Sequence, residues 1–180
     1  MVIGSNYEKT LKYINNNPGC HLRQIKRELD ISMGTVQYQL NKLERENKIN
    51  SSRKGLYKFY FPVGLFQENE KKILQILNNK TSREIFLYII ENQNPTQTDI
   101  SSNFKISNPA VNWHTSRLIT YKMIVEAKDG KYKRYTITNN TQNVKQIIKL
   151  LQNYYSNIWN KWSNRLAEMF ILLSSNEDGK

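Results

Sequence analysis

Slid against itself by 75 residues, this 180-residue chain falls into a gap-free register. Tyr13-Ile14 lands on Tyr88-Ile89, Asn17 on Asn92, Ile25 on Ile100 and Leu29 on Phe104. Further on, Ile31-Ser32 meets Ile106-Ser107, Val36 meets Val111, Tyr38 meets Trp113 and Leu43 meets Leu118. Ile49 and Ile124, Gly55 and Gly130, Tyr57-Lys58 and Tyr132-Lys133, and Tyr60 and Tyr135 complete the match. Apolar and turn positions agree, while few polar ones do. Two copies of one small fold with separately drifted surfaces give this pattern.

Each copy reads as three helices followed by a hairpin. The first helix opens at Ser5 with Glu8 three residues on, and its counterpart at Thr81 with Glu84, both with the spacing of a capping box. Asn/Pro clusters at 15–19 and 92–95 stop these helices. Short second helices follow at about 21–29 and 97–103. Tight turns then lead to Ser32 and Ser107, which are placed as N-caps of third helices over about 33–47 and 108–122. Val36, Leu40 and Leu43 form the inward stripe of one third helix, and Val111 and Leu118 match it in the other. Residues 49–53 and 56–61 flank Lys54-Gly55, and 124–128 and 131–137 flank Asp129-Gly130, as two β-hairpins. Helix, helix, tight turn, helix and hairpin is a winged helix-turn-helix. The fold class is therefore mainly α with small β-hairpins (α+β): two such modules plus a long C-terminal helix.

The expected domains are module 1 over 1–63, a linker helix in 64–80, module 2 over 81–139, a long helix over 140–174 and a disordered tail at 175–180. The linker has an apolar face in Ile73, Leu74, Ile76 and Leu77. From Thr141 to about Leu173 no proline or glycine interrupts the chain. Apolar residues there recur every seven positions: Val144, Leu151, Ile158 and Leu172 on one line, Ile148, Tyr155, Trp162 and Met169 on the next. Such a seam calls for a partner helix. Ile148, Leu151, Tyr155, Ile158, Trp162 and Met169 are the candidates for joining two subunits, and packing back on the chain's own modules is the alternative.

Charge narrows the partners. The net charge is +12, with 15 basic and 8 acidic side chains in residues 1–90 and 12 and 7 in residues 91–180. A basic surface over two folded halves points to a polyanion, nucleic acid or an anionic membrane face. The one cysteine, Cys20, excludes an internal disulfide framework and a multi-Cys zinc site, and suits a reducing cytoplasm. No glycine-rich phosphate loop, HExxH or CxxC occurs. The expectation is a protein with no cofactor, no metal, no enzymatic activity and no membrane span.

Helix-turn-helix proteins lay the third helix in the major groove of DNA. With Val36, Leu40 and Leu43 inward, geometry turns Gly34, Tyr38, Asn41 and Arg45 outward, flanked by Thr35, Gln37 and Lys42. Ser32, Thr35, Gln37, Tyr38 and Asn41 lie where bases are read, and Lys42 and Arg45 where phosphates pass. The second copy offers Asn108, Asn112, Trp113, Ser116 and Arg117. Tyr38 and Trp113 either stack on sugar–phosphate or pack on the linker helix or a second subunit. The hairpin tips carry Arg53 and Lys54 in one copy, and Lys131 and Lys133 beside Lys128 and Arg134 in the other. Wings place such residues on the backbone or in the minor groove. Arg23, Lys26 and Arg27 on the second helix either reach the backbone or form a solvated face.

The stretch Asn17-Pro18-Gly19, Arg23, Ile25, Leu29 and Ser32-Met33-Gly34-Thr35-Val36-Gln37-Tyr38 to Leu43 resembles archaeal winged-helix transcriptional regulators of the ArsR/MarR-like superfamily. It is similar in particular to the tandem type. Ile106-Ser107-Asn108-Pro109-Ala110-Val111-Asn112-Trp113-His114 to Leu118 resembles the second module of that type. The resemblance covers roughly residues 5–137. That type often has histidine after the aromatic; His114 provides it in the second copy, and Gln39 stands there in the first. The resemblance implies sequence-selective binding of double-stranded DNA as a regulator. The reading is a homodimeric, cytoplasmic regulator, against an architectural DNA-coating protein and a protein–protein adaptor as rivals.

Overall fold

In a computed structural model the structure describes residues 5–155. It forms two compact units, Met1–Asn78 and Asn79–Lys180. In the first, α1 (Asn6–Asn16), β1 (Cys20–His21), α2 (Leu22–Leu29) and α3 (Met33–Arg45) precede the hairpin β2 (Ile49–Lys54) and β3 (Tyr57–Pro62), and α4 (Glu68–Leu77) closes the unit. The second has α5 (Lys80–Asn92), α6 (Gln97–Phe104), α7 (Asn108–Thr120), the hairpin β4 (Ile124–Asp129) and β5 (Tyr132–Ile137), and α8 (Thr141–Tyr154).

The repeated apolar positions are the two cores. Ile14, Ile25, Val36, Leu40, Leu43, Ile49 and Tyr60 form one buried cluster with Cys20. Their counterparts Ile89, Ile100, Val111, Leu118, Ile124 and Tyr135 are equally buried. Where Leu40 fills the first core, Thr115 sits buried in the second and donates its hydroxyl to the Val111 carbonyl at 3.0 Å. The backbone repeats as well. Left-handed residues occur in pairs 75 apart: Gly19 and Asn94, Asp30 and Lys105, Asn47 and Lys122, Gly55 and Gly130. Each pair turns the chain at an equivalent corner, so the repeat is conformational as well as compositional.

Three local expectations are corrected. Ser5 and Glu8 do form a capping box, but α5 starts earlier than Thr81, because the Asn79 side chain accepts from the Ser82 N–H at 2.9 Å. The two-residue hairpin turns are Gly55-Leu56 and Gly130-Lys131, since the ladders run on to Lys54–Tyr57 and Asp129–Tyr132. Glycine therefore takes the first turn position, where its positive φ suits the strand twist. A third strand, β1, pairs with β3 through Cys20–Tyr60 and His21–Phe59; in the second unit a single Thr96–Arg134 bridge lies at the same register. Among the described residues, α8 ends at Tyr154, and Tyr155 leaves helical angles at φ −135° and ψ 49°. The rest of the helix expected over 140–174 lies outside the described residues.

The linker helix α4 is part of the first unit. Ile73, Leu74, Ile76 and Leu77 are fully buried. Asn78 donates from Nδ2 to the Pro18 carbonyl at 3.0 Å. A Cβ on Gly19, at φ 81°, would come within 3.2 Å of the Phe61 and Asn78 side chains and 3.4 Å of the Leu74 backbone, so glycine suits this close approach best.

Candidate nucleic-acid interface

In the first unit, the Ser32 side chain caps α3 by accepting from the Thr35 N–H at 3.1 Å, and its hydroxyl lies 2.8 Å from that of Thr35. The two hydroxyls thus fix the start of the helix. One turn further, Gln37 donates from Nε2 to Asn41 Oδ1 at 2.9 Å, both residues exposed. The bond holds two amides side by side on the exposed face of the helix. Tyr38 is 60% exposed beside them, so α4 does not cover it. Arg45 is exposed at the end of the helix. Lys42 is drawn back, its ammonium 5.0 Å from the centre of the Tyr7 ring.

The hairpin of the first wing carries Arg53, Lys54 and Lys58 and no acid of its own. Arg53 and Lys54 are exposed, and Leu56 at the turn is wholly exposed. Lys58 pairs at 2.8 Å with Glu44 of α3, tying the hairpin to the helix it flanks. On α2, Arg23, Lys26 and Arg27 are all exposed, with Arg27 2.7 Å from its neighbour Glu28. These three helix cations are the surface that sequence reasoning left undecided. All three are exposed on one short helix beside α3.

His21 caps α2, accepting at Nδ1 from the Gln24 N–H at 3.3 Å. Burial holds its imidazole below the ordinary range, and Arg27 and Arg23 add to the effect. Cys20 is buried, and burial pushes its thiol far up, which removes any reactive thiolate.

The second unit keeps the geometry with different chemistry. Asn108, Asn112 and Ser116 are exposed on α7, and Trp113 is 52% exposed. Arg117, expected on the outer face of this helix, is half-buried with its guanidinium 4.5 Å from the centre of the Trp113 ring. Its Nε is buried without a hydrogen-bond partner, and burial lowers its pKa. In the second wing two of the four cations are paired with acids of the same hairpin. Lys133 pairs with Glu126 at 3.1 Å, and Arg134 with Asp129 at 2.7 Å while also donating to the Asn94 carbonyl. Lys128 and Lys131 remain exposed, Lys131 lying 5.3 Å from the Tyr132 ring centre. His114 lies 2.8 Å from the buried Ser82 hydroxyl, joining α7 to α5, and burial and then Arg117 lower its pKa.

Of the residues expected at a subunit seam, Leu151 is fully buried within the chain along with Val144, Ile147 and Leu150. Ile148 is half-buried, and Tyr155 lies under the Arg83 guanidinium at 5.2 Å. The apolar face of α8 is thus already covered, which removes Leu151 from the proposed seam. Ile158, Trp162 and Met169 lie outside the described residues, as does Leu172.

Among the described residues no helix is long and apolar enough to cross a membrane, and no three His, Cys, Asp or Glu side chains are grouped to hold a metal ion.

In class, then, the chain is a tandem of two winged helix-turn-helix modules. Residues 6–74 match a family model described as an N-terminal HTH domain, and residues 78–121 one described as winged helix-turn-helix DNA-binding. Over 118 residues the chain is 26% identical to an uncharacterized HTH-type transcriptional regulator of Methanocaldococcus jannaschii; the match takes in 66% of this chain and 29% of that relative's length. Among solved structures, reduced HlyU from Vibrio cholerae aligns at 20% identity and a TM-score of 0.41, over 48% of this chain and 88% of its own. FabT of Streptococcus pneumoniae in complex with DNA aligns at 19% and 0.32, over 64% and 76%. Likenesses this distant carry no functional weight by themselves.

Proposed function

We propose that the chain is a sequence-selective regulator of transcription that binds double-stranded DNA. The observation that carries this reading is the outer face of α3: a bonded Gln37–Asn41 amide pair and an exposed Tyr38, flanked by the cations of α2, Arg45 and the first wing. Amides at that spacing read base edges, and the surrounding cations hold phosphates. The relative's description as a transcriptional regulator agrees with it. Ser32, Thr35, Gln37, Tyr38 and Asn41 face the bases in this reading, with Asn108, Asn112, Trp113 and Ser116 as the second module's equivalents.

The regulator works in the cytoplasm as a homodimer, because two-fold symmetry suits a palindromic site. With Leu151 buried, the seam falls to the apolar residues Ile158, Trp162 and Met169. Selection of bound fragments from a genomic pool tests the reading: a recurring motif supports it, and enrichment no better than random duplex overturns it.

A further inference from the structure

Resting on that reading, the register between the modules shows where the grip on DNA lies. Set 75 residues apart, Arg23, Lys26 and Arg27 of α2 correspond to Thr98, Ser101 and Ser102 of α6, so three cations are replaced by three hydroxyls. Arg45 corresponds to Thr120, Ser51 to Glu126 and Lys54 to Asp129. The two acids so introduced are those that pair with Lys133 and Arg134. Lys42 corresponds to Arg117, which is stacked on Trp113 and half-buried. On α6 the acid Asp99 is engaged at the helix start, its carboxylate accepting from the Thr96 N–H at 2.8 Å.

We propose that the N-terminal module supplies most of the phosphate grip and hence most of the salt dependence of binding, while the C-terminal module, without cations on α6 and with Lys133 and Arg134 held by its own acids, supplies the smaller part. The cations responsible are Arg23, Lys26 and Arg27 with Arg45, Arg53 and Lys54. A phosphate contact expels condensed counterions, and each lowers the slope of log affinity against log salt by about 0.9. In the second wing a phosphate would first have to displace Glu126 or Asp129 from its partner. That exchange returns little binding and releases few ions.

The test is a salt series, from about 50 to 200 mM, for the full chain on random-sequence duplex DNA by fluorescence anisotropy. The variant Arg23→Thr, Lys26→Ser, Arg27→Ser writes the second module's residues into the first at exposed positions. It should make the slope less steep by about two, since Arg27 is paired with Glu28 at 2.7 Å. Lys133→Ser with Arg134→Ser, the two cations of the second wing that its own acids hold, should change it by less than about one. Equal losses in the two variants, or a larger loss in the second, would overturn the inference while leaving DNA binding intact. A wild-type chain that binds no duplex even at the lowest salt refutes the regulator reading itself, and this inference with it.

Discussion

Gln37 and Asn41 are locked to each other across one exposed turn of α3, Nε2 to Oδ1 at 2.9 Å. The bond costs each amide one polar atom and in return fixes the direction of the other. Two such ends, held at one helical spacing, offer the donor and acceptor pairing by which Asn and Gln read base edges in the proposed function.

Removing either amide should therefore cost selectivity. Gln37→Ala or Asn41→Ala is expected to lose about 1–3 kcal/mol of discrimination between a selected site and its scrambled form. Affinity for random duplex should stay close to wild type. Competition binding against scrambled DNA checks this, and equal weakening on both sequences would count against base reading by these residues.

Acid should weaken the fold before it titrates ordinary carboxylates. His21 accepts at Nδ1 from Gln24, and burial holds both His21 and His114 below the ordinary imidazole value. As pH falls through about 6.5, the unfolded chain takes up these protons first. The stability they carry is fully present above that value and is lost as pH falls towards the depressed folded values. Urea midpoints should drop between about pH 7.5 and 5.5, and His21→Asn with His114→Gln should flatten the curve. A midpoint unchanged over that range in the wild type would refute the assignment.

Much of this architecture was readable because it is written twice. Ser32 and Ser107 cap their helices as their spacing implies, with bonds to Thr35 and Ala110, and Val36 and Val111 are both fully buried. The start of α5 was not readable. Asn78-Asn79-Lys80-Thr81-Ser82 offers several residues able to cap, and only packing selects Asn79. Strand β1 is two residues long, too short for any alternation to show. On the interface, exposure of Gln37, Tyr38 and Asn41 followed from helical periodicity. Withdrawal of Arg117 onto Trp113 and of Lys133 onto Glu126 did not, because side-chain pairing depends on rotamers and on neighbours brought together by the turn.

The left-handed corners offer a stability test independent of DNA. Asp30 and Lys105 sit at φ 50° and 52° as the C-caps of α2 and α6. A side chain in this region costs about 1–2 kcal/mol, and glycine's extra unfolded-state entropy returns about half of that. Asp30→Gly and Lys105→Gly should each stabilise by about 0.5–1 kcal/mol in urea unfolding. Destabilisation by either would mean that its side chain contributes more than its backbone costs.

Association should depend on residues beyond α8, because its own apolar side is buried through Val144, Ile147, Leu150 and Leu151. A chain ending at Tyr155 should keep its unfolding midpoint, sediment as a monomer and bind DNA more weakly. If the intact chain is monomeric at tens of micromolar with and without DNA, the homodimer is refuted.

The central claim is selective DNA binding through α3 and the surfaces beside it. Footprinting of the genomic fragment most enriched by the protein, against random duplex at near-physiological salt, tests it most directly. The account predicts a discrete protected site, occupied at concentrations at least about 10³-fold below those that cover random DNA. Even coverage with no preferred site, or no protection at all, would contradict it.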